Sequence, residues 1–293
     1  MSLLEDFIRY IQSEKRYSSH TVEAYLRDLI HLSEYLSSVY ELDDFKQINT
    51  NILRSYIVSL KEQEFKNKSI NRKLSSLRSF YKFLLREKQI YSDPFIGIKS
   101  LKQPQNIAKF IPINDINKIT FDTESETFET CRTQLIFEIL YQTGIRQNEL
   151  RNLKDTDIDF GNAHIKVLGK RNKERIIPVS KVLLEYVKKY QKQRDTLFEN
   201  FDNFLLLSNK GNQISKTLIY NTIRDTLQHQ TTLKQKSPHI LRHTCATHLL
   251  NEGADLLSIQ KMLGHNSLQS TQIYTHNTIE QLKKIHKQAH PKG

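Results

Sequence analysis

The chain has 293 residues and a formal net charge of +12, with a pI near 9.5; that length calls for two domains with separate cores, and that charge favours a polyanionic partner. No apolar run reaches membrane-spanning length, and the opening Met1-Ser2-Leu3-Leu4-Glu5-Asp6 lacks a basic stretch followed by an apolar one, so a cytosolic protein without membrane insertion is expected. Cys131 and Cys245 stand too far apart in sequence for a disulfide framework or a zinc pair and read as reduced thiols. Charge alone is shared with ribosomal and membrane-surface proteins, so the choice among these classes rests on motifs.

In chain order, residues 1–98 predict four helices joined by short loops. The first spans about residues 3–11. Val22, Leu26, Leu29, Leu32 and Leu36 recur at three- and four-residue spacing behind a Ser18-Ser19 start signal, and Ile70, Leu74, Leu77, Tyr81 and Leu84 do so behind Ser69. Leu53, Ile57 and Leu60 form another such stripe. Residues 1–60 hold six Lys/Arg against nine Asp/Glu, whereas residues 61–88 hold nine against three. Lys68, Arg72, Lys73, Arg78 and Lys82 are therefore expected to face phosphate, the plainer alternative being a solvated helix face. Residues 99–110, with Lys102 and two further lysines, a proline and no acid, read as an extended interdomain linker whose lysines lie near a nucleic-acid backbone.

The second domain, residues 111–293, reads as mainly α with a small β-sheet. A helix over about 131–142 stops at Gly144, a left-handed cap, and delivers Arg146 directly afterwards. Residues 163–168 and 175–179 have strand character around the basic turn Gly169-Lys170-Arg171-Asn172-Lys173, which predicts a hairpin. Helices follow at about 182–193, 216–228 and 239–251.

Chemistry concentrates between Pro238 and His276, where His239, Arg242, His265 and Tyr274 recur at short intervals. The only acids there are Glu252 and Asp255, too few for the clustered carboxylates that a divalent metal needs. The pattern suits metal-free attack on a phosphate. A side-chain oxygen, with Tyr274 the natural candidate, attacks phosphorus while guanidinium groups hold the non-bridging oxygens and imidazoles handle protons.

His239-x-x-Arg242, Leu263-Gly264-His265 and a tyrosine nine residues beyond His265 resemble the C-terminal signature of the tyrosine recombinases, the phage-integrase family. Thr143-Gly144-Ile145-Arg146-Gln147-Asn148-Glu149-Leu150 is similar to that family's first arginine motif, and Gly169-Lys170 to its hairpin lysine. The N-terminal half, the total length and the closing His286-x-x-x-His290-Pro291 look like the Xer branch. Two departures concern local loop shape rather than reactive groups: Arg171 stands where a second glycine is common, and Gln147-Asn148 replaces a small-residue pair.

The resemblance implies a two-domain clamp, in which a four-helix core-binding domain and a catalytic domain close around duplex DNA. It implies that Arg146 and Arg242 grip the scissile phosphate and that Tyr274 forms a 3′-phosphotyrosine. Lys170 would be the general acid for the 5′ oxygen, with Lys173 as rival, and His239 and His265 would supply proton handling. His243 and His248 read as structural, and Glu149 as an orienting partner. Neither metal, ATP nor another cofactor is implied. The expected assembly is a homo- or heterotetramer on two sites, with a second Xer recombinase and a septal DNA translocase as candidate partners. The role would be resolution of chromosome dimers at cell division. In residues 278–293, Ile279, Leu282, His286 and Ala289 share one helical face that suits insertion into a neighbouring subunit or docking in cis. The alternatives are the integrase of a mobile element, a type IB topoisomerase, and a DNA-binding module without catalysis.

Overall fold

The computed structural model describes residues 3–103, 110–121, 126–169, 173–228 and 236–264. The chain divides into two compact units, Met1–Asn106 and Ile107–Gly293. The first contains helices α1 (Leu3–Ser13), α2 (Ser19–Tyr40), α3 (Thr50–Glu62) and α4 (Asn67–Arg86). Ser18 caps α2 by accepting from the Thr21 amide, and Asn49 caps α3 by accepting from Asn51 and Ile52. Helix α4 begins two residues before Ser69, behind Lys66, without a side-chain cap. Leu29, Leu32, Leu53, Leu77 and Leu84 of the three- and four-residue stripes are fully buried in the core of this unit, joined by Phe7, Tyr56 and Phe80, whereas Leu26 and Ile57 are only partly buried.

The basic run on α4 divides into two classes. Asp28 of α2 is buried, and both its oxygens accept from Arg72 at 2.6 Å while Oδ2 also accepts from Ser76 at 2.7 Å. Lys73 lies 3.5 Å from the same carboxylate, is itself buried, and sits over the Phe65 ring at 5.3 Å. Lys73 therefore departs from the expectation of a phosphate contact: its ammonium is the internal partner of a buried acid. Arg72 is half-exposed but bidentate to Asp28. Arg78 donates to the Ile98 carbonyl at 3.2 Å and stacks over Phe95. Lys68, Lys82 and Lys102 are exposed.

The segment expected as a linker begins as part of the first unit. The Asn71 amide donates to the Leu101 carbonyl at 2.9 Å and accepts from the Leu101 N–H at 2.8 Å, and Asn67 donates to the Lys102 carbonyl at 2.7 Å. A side-chain amide offers both a donor and an acceptor, so it can pair an extended backbone as a strand would. Residues 104–109 lie outside the described residues.

In the second unit α5 (Ile113–Asn117) precedes α6 (Phe128–Thr143) and α7 (Gln147–Arg151). Three antiparallel strands follow, β1 (Ile158–Asp159), β2 (His164–Leu168) and β3 (Glu174–Pro178), in the order β1-β2-β3. Then come α8 (Lys181–Leu197), α9 (Lys216–Gln228), α10 (Pro238–Asn251) and α11 (Leu256–Leu263). Helix α6 is buried on nearly all sides, its polar Arg132, Glu138, Gln142 and Thr143 included, and packs against α7, α8, α9 and α10, which makes it the central rod. In the hairpin Ile165 pairs with Ile177 and Val167 with Arg175, so alternation turns Arg175 inward with the two isoleucines. The two-residue β1 is too short to leave a periodic signal in sequence.

Replacing Asp28 by Ala leaves Lys73 buried without its counter-ion. The full-length variant should lose about 3 kcal/mol in a denaturant melt, the low end for a broken buried pair because Arg72 is half-exposed.

Candidate active site

Helix α6 opens with Thr127 and Thr130 bonded reciprocally and ends at Gly144, whose φ of +59° is left-handed. A Cβ at Gly144 would lie 2.5 Å from Leu263 Cδ2 and 3.4 Å from Cys245 Sγ, so both conformation and space require glycine. Arg146, two residues on, is the N-cap residue of α7. Its backbone N–H donates to Glu149 Oε2 at 2.8 Å. Its guanidinium sends Nη1 to Glu149 Oε1 at 2.9 Å and Nη2 to the Gly264 carbonyl at 3.1 Å.

Helix α10 begins with Pro238, whose fixed φ suits a first helical turn. His239 is exposed on that turn, and Arg242, one turn further along the same face, is buried. Arg242 donates Nη1 to the Gly144 carbonyl and Nη2 to the Leu263 carbonyl at 2.8 Å. From β3, Arg175 donates Nε to the Met262 carbonyl at 2.8 Å and holds Glu149 with both Nη atoms, at 3.1 and 2.7 Å. Three consecutive carbonyls at the end of α11, those of Met262, Leu263 and Gly264, thus each accept from a different arginine. These carbonyls lack partners within their own helix, and the helix dipole adds negative potential there.

The charges respond to one another. Burial, reinforced by the positive charges of Arg146 and Arg175, pushes the Arg242 guanidinium down to about 10, which leaves it protonated at neutral pH. Burial acts to raise the Glu149 carboxyl, but the hydrogen bonds and charge of Arg175, with the Arg146 amide and guanidinium, hold it below the usual carboxylate range. One carboxylate therefore stands among three guanidiniums.

Of the residues singled out in sequence, Arg146 and Arg242 meet at the α11 terminus, and His239 lies on the helix that carries Arg242. Lys170, His265 and Tyr274, with the tail 278–293, lie outside the described residues. Lys173 is exposed, and its carbonyl accepts from the Gly169 N–H at 2.8 Å where the hairpin closes. His248 is structural: it is buried, Nδ1 shares a hydrogen bond with the Tyr141 hydroxyl, and Nε2 meets the Ile111 carbonyl at 2.9 Å. Burial lowers its pKa, so the imidazole is held neutral. Cys131 and Cys245 are free and buried, and burial pushes the Cys245 thiol up to about 12. Sequence reasoning missed Arg175. Its signal was a cation at an inward position of a strand that otherwise alternates correctly.

The sequence pattern of the phage integrase family matches residues 109–281, and that of the phage integrase N-terminal SAM-like domain matches residues 4–88. Tyrosine recombinase XerC of Anoxybacillus flavithermus is 35% identical, covering 98% of this chain and 97% of its own. The chain belongs to the phage integrase family. Tyrosine recombinase XerD of Listeria monocytogenes is 34% identical and covers 99% of each chain. In fold, the family member resembles the XerH site-specific recombinase bound to palindromic difH substrate in a post-cleavage complex. The TM-score is 0.73 at 22% identity, over 96% of this chain and 82% of that one.

In this phage-integrase chain, Gly144→Ala combines left-handed strain, about 1–3 kcal/mol, with displacement of Leu263. Gly253, with φ +87° and nothing within 4 Å of an added Cβ, carries the strain alone. Denaturant melts should show Gly144→Ala less stable than Gly253→Ala by about 1 kcal/mol or more, the cost of overpacking.

Proposed function

We propose that this site-specific tyrosine recombinase uses Arg146 and Arg242 as the paired clamp on the scissile phosphate and Tyr274 as the nucleophile. The supporting observation is the meeting of these two guanidiniums, from the start of α7 and the second turn of α10, at the Leu263 and Gly264 carbonyls. Those two residues directly precede His265 in sequence, and Tyr274 follows nine residues later. Fixed donors of this kind stabilise the extra negative charge of a pentacoordinate phosphorane-like transition state.

In the reaction the Tyr274 oxygen attacks phosphorus, a tyrosyl–phosphate bond forms, and the bond from phosphorus to the 5′ oxygen breaks. Lys170 gives its proton to that oxygen. His239 and His265 assist removal of the phenolic proton, whose ordinary pKa is about 10. The 5′ hydroxyl of another strand then attacks the phosphotyrosine and releases the tyrosine, so bond energy is conserved without a nucleotide cofactor. Lys68, Lys82, Lys102 and Lys173, all exposed, are the backbone-contact candidates, joined by the outer edges of Arg72 and Arg78.

The full-length similarity to XerC and XerD supports a chromosomal role over mobile-element integration. We assign the chain to cytoplasmic resolution of chromosome dimers by a tetramer on two sites, through a Holliday junction. A second Xer recombinase and a septal DNA translocase are the candidate partners.

Tyr274→Phe should bind a cognate site with wild-type affinity in a gel shift and give no covalent adduct with a nicked suicide substrate on a denaturing gel. On paired intact sites, Holliday junctions should accumulate with the wild type and not with the variant. An adduct in the variant would transfer the role to another residue.

Lys170→Ala should slow cleavage about 10²- to 10⁴-fold, the usual range for a lost general acid. A 5′-bridging phosphorothiolate, whose leaving sulfur needs no proton, should restore the rate, whereas Arg242→Ala should gain nothing from it. The same rescue in Lys173→Ala, with none in Lys170→Ala, would exchange the two lysines.

A further inference from the structure

Glu149 presents an electrostatic difficulty, because a carboxylate three residues from Arg146 would by itself neutralise the cation expected to hold phosphate. The geometry resolves it. Arg175 takes both carboxylate oxygens of Glu149 in a fork, at 2.7 and 3.1 Å, and this pair is buried at 5% and 6% side-chain exposure. Arg146 gives Glu149 only one guanidinium nitrogen, and its side chain remains 38% exposed. Two cations share one anion, and the excess positive charge stands on the arginine that solvent reaches.

Arg175 also spans three segments. It belongs to β3, five residues beyond Lys170 in sequence, and it binds Glu149 on α7 and the Met262 carbonyl at the end of α11. Its Nη1, Cζ and Cδ atoms stand 3.3 to 3.5 Å from where a Cβ would lie on Gly264, the left-handed residue just before His265. A lysine could supply the charge but not the fork together with a third, divergent donor.

We infer that Arg175 is a positioning residue that acts through Arg146. It is the counter-ion of Glu149, it leaves the Arg146 charge available to the scissile phosphate, and it ties the hairpin and the α11 terminus to the same point. The inference rests on the assignment of Arg146 to the phosphate.

The test compares full-length wild type, Arg175→Ala, Arg175→Lys and Arg146→Ala on two nicked suicide substrates. One carries an ordinary scissile phosphodiester, the other an uncharged methylphosphonate at the same position. Gel shifts should give site affinities within about threefold of wild type for both Arg175 variants. Single-turnover cleavage of the phosphodiester should fall about 10- to 100-fold, the scale of a displaced reacting group. On the methylphosphonate, which lacks the charge that Arg146 meets, the deficit of the Arg175 and Arg146 variants should shrink to within about threefold. Arg175→Lys keeps a buried cation beside Glu149 and carries the test if Arg175→Ala does not fold. An undiminished rate in Arg175→Lys, or an equal loss on both substrates, overturns the inference. A wild-type rate for Arg146→Ala on the phosphodiester would instead remove the assignment on which it rests.

Discussion

Three guanidinium groups gathered on the carbonyl end of one eight-residue helix are the constraint on which the second unit depends. Like charges repel, so the cluster needs acceptors that favour all three together. The three last carbonyls of α11 supply neutral acceptors with the negative end of a helix dipole behind them, and Glu149 supplies the single full charge. The arginines come from the start of α7, from β3 and from the first turns of α10, so the same bonds that satisfy the helix end also join four segments. Under the proposed assignment of Arg146 and Arg242, these two are the fixed, partly desolvated donors that would stabilise a phosphoryl transition state.

Close approach is what makes this possible. Gly144 and Gly264 both adopt left-handed backbone, the first against Leu263 and Cys245, the second against the Arg175 guanidinium. A Cβ at Gly144 would displace the Leu263 side chain, and one at Gly264 would press the Arg175 side chain aside by a few tenths of an ångström, a large error for hydrogen bonds near 2.8 Å. The buried thiol of Cys245 belongs to this contact and is chemically quiet, since burial keeps it protonated.

The first unit applies the same principle around a single carboxylate. Asp28 is the buried anion, and Arg72, Lys73 and Ser76 of α4 converge on it. A helix that reads as uniformly basic thus has an inward cation, three arginines tied to protein groups, and outward lysines. The internal pair holds α2 to α4 and leaves the outer charges for a polyanion, whose attraction to exposed cations is long-ranged and salt-dependent.

The sequence by itself determined the four helices of the first unit and α6, α8, α9 and α10 of the second, though not the short α5, α7 and α11, together with the left-handed stop at Gly144, the hairpin around Gly169 and the order of the reactive motifs. These depend on periodicity, capping and φ preference, which act within a few residues of each position. The start of α4 before Ser69 and the two-residue β1 escaped because each depends on neighbours distant in sequence. Whether Lys73 faces solvent or an acid 45 positions earlier could be decided only by tertiary structure, because the helical period fixes a side chain's direction and not its partner. The same holds for the start of the expected linker, which pairs with two asparagine amides of α4. It holds most of all for Arg175: strand alternation turns it inward, but only the convergence of α7, β3 and α11 supplies the carboxylate and carbonyl that let a buried guanidinium exist there.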